Sequence, residues 1–85
     1  MSDQFKKHYK KRITVGSSLE KRYIERVEIF ILDKHNQIIR DHALIGKLSK
    51  FRAFWINGDV RVVYEVVTDS LVIFVDIGTH NQVYS

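Results

Sequence analysis

The sequence predicts an α+β domain in which a hairpin of two helices packs on a small antiparallel sheet of three to four strands. Three runs of β-branched and aromatic residues between 51 and 84 are separated by Asn57-Gly58 and by Thr68-Asp69-Ser70, and such groups form turns between neighbouring antiparallel strands. Two stretches before them have apolar residues at helical spacing. A chain of 85 residues forms one domain with one modest core, which we place at 1–85.

Composition narrows the class of protein. The chain has no cysteine, which excludes disulfides and thiolate metal sites. No apolar run reaches the roughly 20 residues needed to cross a bilayer, so we expect a cytoplasmic protein that does not bind a membrane. The net charge of +4 is unevenly distributed: ten Lys and Arg against five Asp and Glu give +5 in residues 1–40, and residues 41–85 contribute −1. Such an excess favours a polyanionic partner.

The first helix is predicted over residues 3–13. Ser2 can cap it, and the apolar positions Phe5, Tyr9 and Ile13 recur at intervals of four. The lysines outside this stripe are Lys6, Lys7, Lys10 and Lys11. Like charges four residues apart cost an isolated helix roughly 0.2–0.5 kcal/mol per pair, and a bound polyanion would reverse that cost. We interpret these lysines as RNA contacts, with an ordinary solvated helix face as the alternative.

The second helix is predicted over residues 18–33. Gly16 ends the first helix, and Ser17 followed by Glu20 fits a capping box. The apolar stripe of this helix is expected to pack on the sheet and consists of Leu19, Tyr23, Val27, Phe30 and Ile31. Residues 35–50 lack a clean period and are expected to form a loop.

The two short turns predict which face of the sheet is buried, because successive strand side chains point to opposite faces. With Asn57-Gly58 as the loop, Phe51 pairs with Tyr64 and Trp55 lies on the core side. The predicted core face consists of Phe51, Ala53, Trp55, Val60, Val62, Tyr64, Val66, Ile73, Val75 and Ile77. The opposite face, predicted to be the working surface, carries Arg52, Phe54, Arg61, Val63, Glu65, Phe74 and Asp76. Ordinary surface charge is the alternative interpretation of this second face.

The last strand brings a histidine to the open end of the sheet. His80 follows Gly78-Thr79, and an imidazole that titrates near neutral pH can give or accept a proton in the cell. His42 precedes the first strand and could approach the same edge, or could be an ordinary surface histidine. His8 and His35 have no neighbours at ligand spacing, so we predict no metal site and no cofactor.

The order of motifs from Asp41 onward resembles the RelE/YafQ family of bacterial toxin-antitoxin ribonucleases. The similar segments read DHALIGKL, FRAFWINGDVRVVYEV and DIGTHNQVY, and the resemblance covers about residues 5–85. It implies a RelE/ParE toxin-like fold and a toxin that cleaves messenger RNA in the ribosomal decoding site. The implied partners are the ribosome, the message and a cognate antitoxin that holds the toxin inactive.

The resemblance also implies roles for individual residues. Metal-free RNA cleavage needs a base for the ribose 2′-hydroxyl, an acid for the 5′-oxygen and cations for the charge on the phosphorane. A histidine suits proton transfer, and a guanidinium offers fixed paired donors to a phosphate. Tyr84 can stack on a base splayed out of the message. The candidate catalytic residues are His80, His42, Asp59, Arg61 and Arg52.

The chain departs from the YafQ-like pattern in two ways. Ala53 and Trp55 stand where that branch usually has an acid and a histidine, and Asp76 stands where a basic residue can occur, so the set of acid-base groups is incomplete. The usual strand before the first helix is missing. This predicts a sheet edge with unpaired backbone groups, open to an antitoxin strand or to a homodimer.

Two alternative functions remain open at this point. One is a ParE-like toxin that binds DNA gyrase and has no catalytic residues of its own, although the GTHxxxY ending favours the ribonuclease. The other is a catalytically degenerate toxin that keeps its binding to the antitoxin, which Ala53 and Trp55 favour.

Overall fold

The computed structural model describes residues 1–84 and places two helices against a four-stranded antiparallel sheet. The elements are α1 (Asp3–Arg12), α2 (Ser18–Leu32), β1 (His42–Ala43), β2 (Phe51–Asn57), β3 (Val60–Thr68), β4 (Leu71–Gly78) and α3 (His80–Tyr84). The strands lie in the order β1-β2-β3-β4. The predicted α+β class, both long helices and the three long strands are confirmed. The two-residue strand β1 and the short helix α3 were not predicted individually.

Both long helices begin at the predicted serines. The Ser2 hydroxyl accepts a hydrogen bond from the Phe5 amide, and the Ser17 hydroxyl accepts one from the Glu20 amide, each at 3.1 Å. The Glu20 carboxylate accepts from the Gly16 amide at 2.9 Å, one residue earlier than in a standard capping box. No helix within residues 1–84 is long and apolar enough to cross a membrane.

The core is an aromatic cluster between the helices and one face of the sheet. Phe30 of α2 stacks on Phe54 at 4.5 Å between ring centroids and meets Tyr64 edge-on at 4.8 Å. Phe5 of α1 meets Phe74 at 5.5 Å. Such pairs add about 0.5–1.5 kcal/mol each beyond the burial of their area. Ile31, predicted to lie in the core stripe, is 73% exposed, so that part of the prediction is wrong.

The register of β2 differs by one residue from the prediction, and every side chain of this strand changes face as a result. Arg52 pairs with Tyr64 and Trp55 pairs with Arg61, and an irregularity between Trp55 and Asn57 supplies the extra residue. Arg52 therefore lies on the face that packs against the helices, and Arg61 lies on the opposite face. The prediction that both arginines share one face is wrong, as is the placement of Trp55 on the core side.

A second irregularity changes the pairing of β4. Ile77 pairs with Val62 as predicted, but Phe74 takes the place predicted for Val75 opposite Tyr64. Phe74 is consequently buried in the core. We call the side that carries Phe54, Val62 and Tyr64 the packed face, and the side that carries Arg61 the open face.

The outer edge of β4 is covered by α1. The Ser2 amide donates to the Phe74 carbonyl at 3.0 Å, and the Arg12 guanidinium donates to the Ile77 carbonyl at 2.6 Å. The predicted unpaired edge is therefore not found at β4. On the other side of the sheet, β1 pairs only with Arg52 and Ala53, so the rest of β2 has no strand beyond it within residues 1–84.

Candidate active site

A cavity of about 430 Å³ opens where β1, β3 and α3 meet. It is lined by His42, Ala43, Leu44, Ile45, Leu48, Arg61, His80 and Tyr84. The apolar wall comes from the loop after β1, and the groups capable of chemistry come from three different elements. Four residues predicted separately from the sequence are thus collected around one cavity; they are His42, Arg61, His80 and Tyr84.

Helix α3 presents two of these residues side by side. The rings of His80 and Tyr84, four residues apart on one helix face, meet edge-on with 4.6 Å between their centroids. Thr79 and Gln82 cap the helix reciprocally: the Thr79 amide donates to Gln82 Oε1 at 2.8 Å, and the Gln82 amide donates to Thr79 Oγ1 at 3.4 Å. This capping box is the signal in the sequence that indicates α3, a helix that was not predicted.

Asp59 connects Arg61 to the start of α3. One of its carboxylate oxygens accepts a hydrogen bond from Arg61 Nη2, and the other accepts from the His80 backbone amide at 3.3 Å. The Arg61 guanidinium also lies over the Tyr84 ring, 5.5 Å from its centroid. Asp59 thus orients both neighbours, and Arg61 remains a fixed positive charge at the cavity.

The ring of His42 is held in one tautomer by the backbone. Its Nδ1 lies 2.8 Å from the Arg40 carbonyl oxygen. A carbonyl oxygen can only accept, so Nδ1 must carry the proton in this contact. In the neutral ring, Nε2 then keeps its lone pair and is free to act as a base.

Arg52 is not among the residues that line the cavity. Its guanidinium donates to Asp41 at 3.4 Å and to the Tyr64 hydroxyl at 3.2 Å. Desolvation lowers the pKa of Arg52, but hydrogen bonds to Tyr64 and Asp41 outweigh it, so that this pKa is raised overall. The structure therefore separates Arg52 from the other candidate catalytic residues.

Ala53 and Trp55 lie on the open face, beside the candidate site. Ala53 is fully buried and pairs with His42 across the sheet. The Trp55 ring lies 4.9 Å from the Arg26 guanidinium and 4.6 Å from that of Arg40. These two positions supply no acid or base, and the histidines that line the cavity are His42 and His80.

The four predicted RNA-binding lysines are exposed on α1 and form no ion pair within the described residues. Lys11 also borders a second cavity of about 400 Å³, which includes Gly78 and Thr79 at the start of α3. The basic surface of α1 therefore reaches the helix that carries His80. No group of three or more side chains suited to holding a metal ion occurs within residues 1–84.

Comparison with known proteins gives a match to a family model and matches to solved structures. The model of the bacterial toxin of type II toxin-antitoxin systems, YafQ, matches residues 1–85. A copper-bound mutant toxin from Helicobacter pylori is 27% identical, with a TM-score of 0.78 over 98% of this chain and 93% of that chain. YafQ from E. coli strain BL21(DE3) is 21% identical, with a TM-score of 0.76 over 99% and 93%.

The E. coli DinJ-YafQ complex also contains a similar chain. The identity is 22% and the TM-score 0.73, over 99% of this chain and 93% of that chain. No curated protein matches significantly in sequence.

Proposed function

Because the chain belongs to the YafQ family of toxins from bacterial type II toxin-antitoxin systems, we propose that it is an endoribonuclease that cleaves messenger RNA on the ribosome, in the cytoplasm. The observation that carries this proposal is the cavity that brings Arg61 and Tyr84 together with two histidines. These are the kinds of group that cleavage of RNA by its own 2′-hydroxyl requires.

The two histidines take the proton-transfer steps in this proposal. Nε2 of His42 accepts the proton of the ribose 2′-hydroxyl as that oxygen attacks the adjacent phosphorus. The bond from phosphorus to the 5′-oxygen breaks, and the His80 imidazolium gives a proton to the leaving oxygen. The products are a 2′,3′-cyclic phosphate and a 5′-hydroxyl. The assignment of His42 as the base is supported by its tautomer, in which Nδ1 carries the proton and Nε2 keeps its lone pair.

Arg61 and Tyr84 hold the substrate in the same scheme. The guanidinium stabilises the extra negative charge of the phosphorane through its paired N–H donors. Asp59 fixes the direction of this guanidinium through their ion pair. Tyr84 offers a ring on which a base splayed out of the message can stack.

The remaining partners are the ribosome and an antitoxin. We propose that the lysines of α1 bind ribosomal RNA. Binding of the protein to the ribosome should then weaken steeply as the salt concentration rises. A relative is seen in the DinJ-YafQ toxin-antitoxin complex, which supports a cognate antitoxin. The excess of Lys and Arg in residues 1–40 leads us to propose that this antitoxin binds through an acidic segment. The part of β2 beyond Ala53 has no partner strand on its outer side within the described residues, and we place an antitoxin strand, or a second copy of the chain, along it.

A degenerate toxin that only binds its antitoxin is the second candidate function. The specific observation in its favour is that Ala53 and Trp55 supply no acid or base beside Arg61. The two candidates differ in whether the wild-type chain cleaves RNA at all.

Replacing His80 tests the proposal. His80→Ala should reduce cleavage of messenger RNA on programmed ribosomes by about 10²–10⁴-fold, the usual effect of losing a proton-transfer group. The melting temperature should hardly change, because the side chain is exposed. His35→Ala is the matched control: it also removes an exposed histidine, which does not line the cavity, and should cleave at the wild-type rate.

Two outcomes would contradict the proposal. If His80→Ala cleaves as fast as the wild type, His80 has no catalytic role. If the wild-type chain binds its antitoxin but never cleaves RNA, the degenerate toxin is the correct interpretation.

A further inference from the structure

Asp41 is a buried carboxylate directly before His42 in the chain. Its side chain is 4% exposed. It accepts a hydrogen bond from the Tyr64 hydroxyl at 2.6 Å and two from the Arg52 guanidinium, both at 3.4 Å. Arg52 Nε also lies 3.2 Å from the Tyr64 hydroxyl oxygen. The three side chains form a closed polar cluster, which we call the Asp41 cluster.

Two members of the Asp41 cluster, Tyr64 and Arg52, have raised pKa values. Burial, and then the hydrogen bond to Asp41, hold the pKa of Tyr64 well above its usual value, so the phenol stays neutral and donates. The raised pKa of Arg52 keeps the guanidinium charged. A buried carboxylate that loses such partners is strongly destabilised, so Asp41 stays where these two side chains are.

The position of Asp41 bears on the position of His42 through the geometry of strand β1. Strand β1 contains only His42 and Ala43, and Ala43 pairs with Arg52. Successive side chains of an extended chain point to opposite faces. Asp41 therefore lies on the Arg52 side of the sheet, and His42 lies on the open face, where it lines the cavity. A two-residue strand has little pairing of its own, so the contacts of Asp41 decide where His42 lies.

The residue before Asp41 completes this arrangement. Arg40 adopts a left-handed backbone conformation with φ of 49°, which is unusual for a residue other than glycine and persists only when its surroundings impose it. The carbonyl of Arg40 is the group that accepts the hydrogen bond from His42 Nδ1. Contacts that hold Asp41 in place therefore also restrain the Arg40 carbonyl before it and the His42 imidazole after it.

We propose that Asp41 is a positioning residue that sets the place and the tautomer of His42, with Tyr64 and Arg52 as its anchors. This proposal rests on the proposed function, in which His42 is the base, but the placement of His42 can be measured without any cleavage. Asp41 itself does not contact the RNA. The same contacts could serve only to stabilise the loop, so the test must separate position from stability.

The first measurement is the ¹⁵N NMR spectrum of the His42 ring. The wild type should show the neutral tautomer with the proton on Nδ1. In Asp41→Asn, the amide can still accept from Tyr64 but no longer carries the charge that Arg52 requires, and His42 should show a mixture of tautomers. Tyr64→Phe, which keeps the core ring and removes only the hydroxyl, should shift the spectrum in the same direction and serves if Asp41→Asn does not fold.

Asp76→Asn is the matched control. Asp76 is also a buried carboxylate, with a side chain 8% exposed and two basic partners, His8 at 2.6 Å and Arg12 at 3.4 Å. It belongs to β4, at the opposite edge of the sheet from β1. This variant should lose stability as Asp41→Asn does, while its His42 spectrum stays that of the wild type. An unchanged His42 spectrum in a folded Asp41→Asn or Tyr64→Phe chain would overturn the proposal.

The second measurement is the rate of cleavage. Asp41→Asn should lower kcat by up to about 10²-fold, the effect of misplacing a catalytic group by about 1 Å, with KM nearly unchanged. Arg22→Ala, which removes an exposed arginine of α2 that does not line the cavity, should keep the wild-type kcat. A kcat that is unchanged when the tautomer has changed would overturn the catalytic part of the proposal. If the wild type itself does not cleave, the proposed function fails, and the NMR comparison still decides whether Asp41 positions His42.

Discussion

The packed face and the open face of the sheet carry different kinds of residues. On the packed face, Phe54, Val62 and Tyr64 are fully buried against rings from both long helices. On the open face, Arg61 stays partly exposed and is oriented by Asp59. Neighbouring residues of β3 thus have different surroundings: Val62 packs into the core, whereas Arg61 beside it lines the cavity. The candidate site is therefore built on a strand whose other face is packed into the core.

The largest effect is expected from removing a ring on the packed face. Phe54→Ala should lower the free energy of unfolding by about 3–5 kcal/mol, because the side chain is fully buried and stacked on Phe30. Such a loss is comparable to the whole stability of many small domains. Unfolding in urea would measure it.

Phe51→Ala is the control for this prediction. Phe51 belongs to the same strand, pairs with Glu65 on the open face and is only half-buried, so its loss should cost clearly less. A greater cost at Phe51 than at Phe54 would mean that the register of β2 is the one first predicted from the sequence.

On the open face, we expect loss of activity without loss of stability. Arg61→Ala should lower kcat for RNA cleavage by about 10²–10³-fold, as removal of a donor to a developing negative charge does. The melting temperature should change little, because an ion pair with an exposed Asp59 contributes little. Arg22→Ala, which removes an exposed arginine paired with Glu25 on α2, should leave both quantities unchanged. A large drop in melting temperature for Arg61→Ala would show that the two faces are not separable in this way.

The smallest effect is expected from removing only the hydroxyl group of Tyr84. Its hydroxyl is buried and has no hydrogen-bond partner within the described residues, so Tyr84→Phe should leave stability unchanged or raise it by up to about 1 kcal/mol. Cleavage should also persist, because stacking needs only the ring, whereas Tyr84→Ala should lose it. Thermal unfolding and the ribosome assay measure the two effects. Loss of cleavage in Tyr84→Phe would mean that the hydroxyl contacts the substrate.

The elements of the fold were predictable because their signals are local. Ser17 and Glu20 mark the start of α2 within four residues, and Asn57-Gly58 marks the β2-β3 turn. The register of β2 was not predictable, because the segment FRAFWIN has apolar side chains on both of its alternating sets. The choice between these sets is made by the irregularity near Asn57 and by packing against Phe30.

The candidate site was predicted in part for the same reason. His80 and Tyr84 belong to one short motif, and the fold brings Arg61 and His42 to them. The role of Asp41 depends on Tyr64, which is 23 residues away in sequence, and nothing in the motif around Asp41 indicates that contact. Arg52 was predicted to bind the phosphate. It lies in the Asp41 cluster instead, because the register of β2 pairs it with Tyr64.

Gly78 joins the first helix of the chain to the last. A Cβ at this position would lie 2.6 Å from Arg12 Nη1 and equally close to Gln82 Oε1, so the guanidinium that covers the β4 edge and the amide that caps α3 occupy the space of a side chain. The backbone two residues before His80 is therefore packed between α1 and α3, next to a hydrogen bond between residues 65 apart in sequence. Closing so long a loop is entropically costly and tends to occur late in folding. The surroundings of the candidate site thus include contacts between residues that are far apart in sequence.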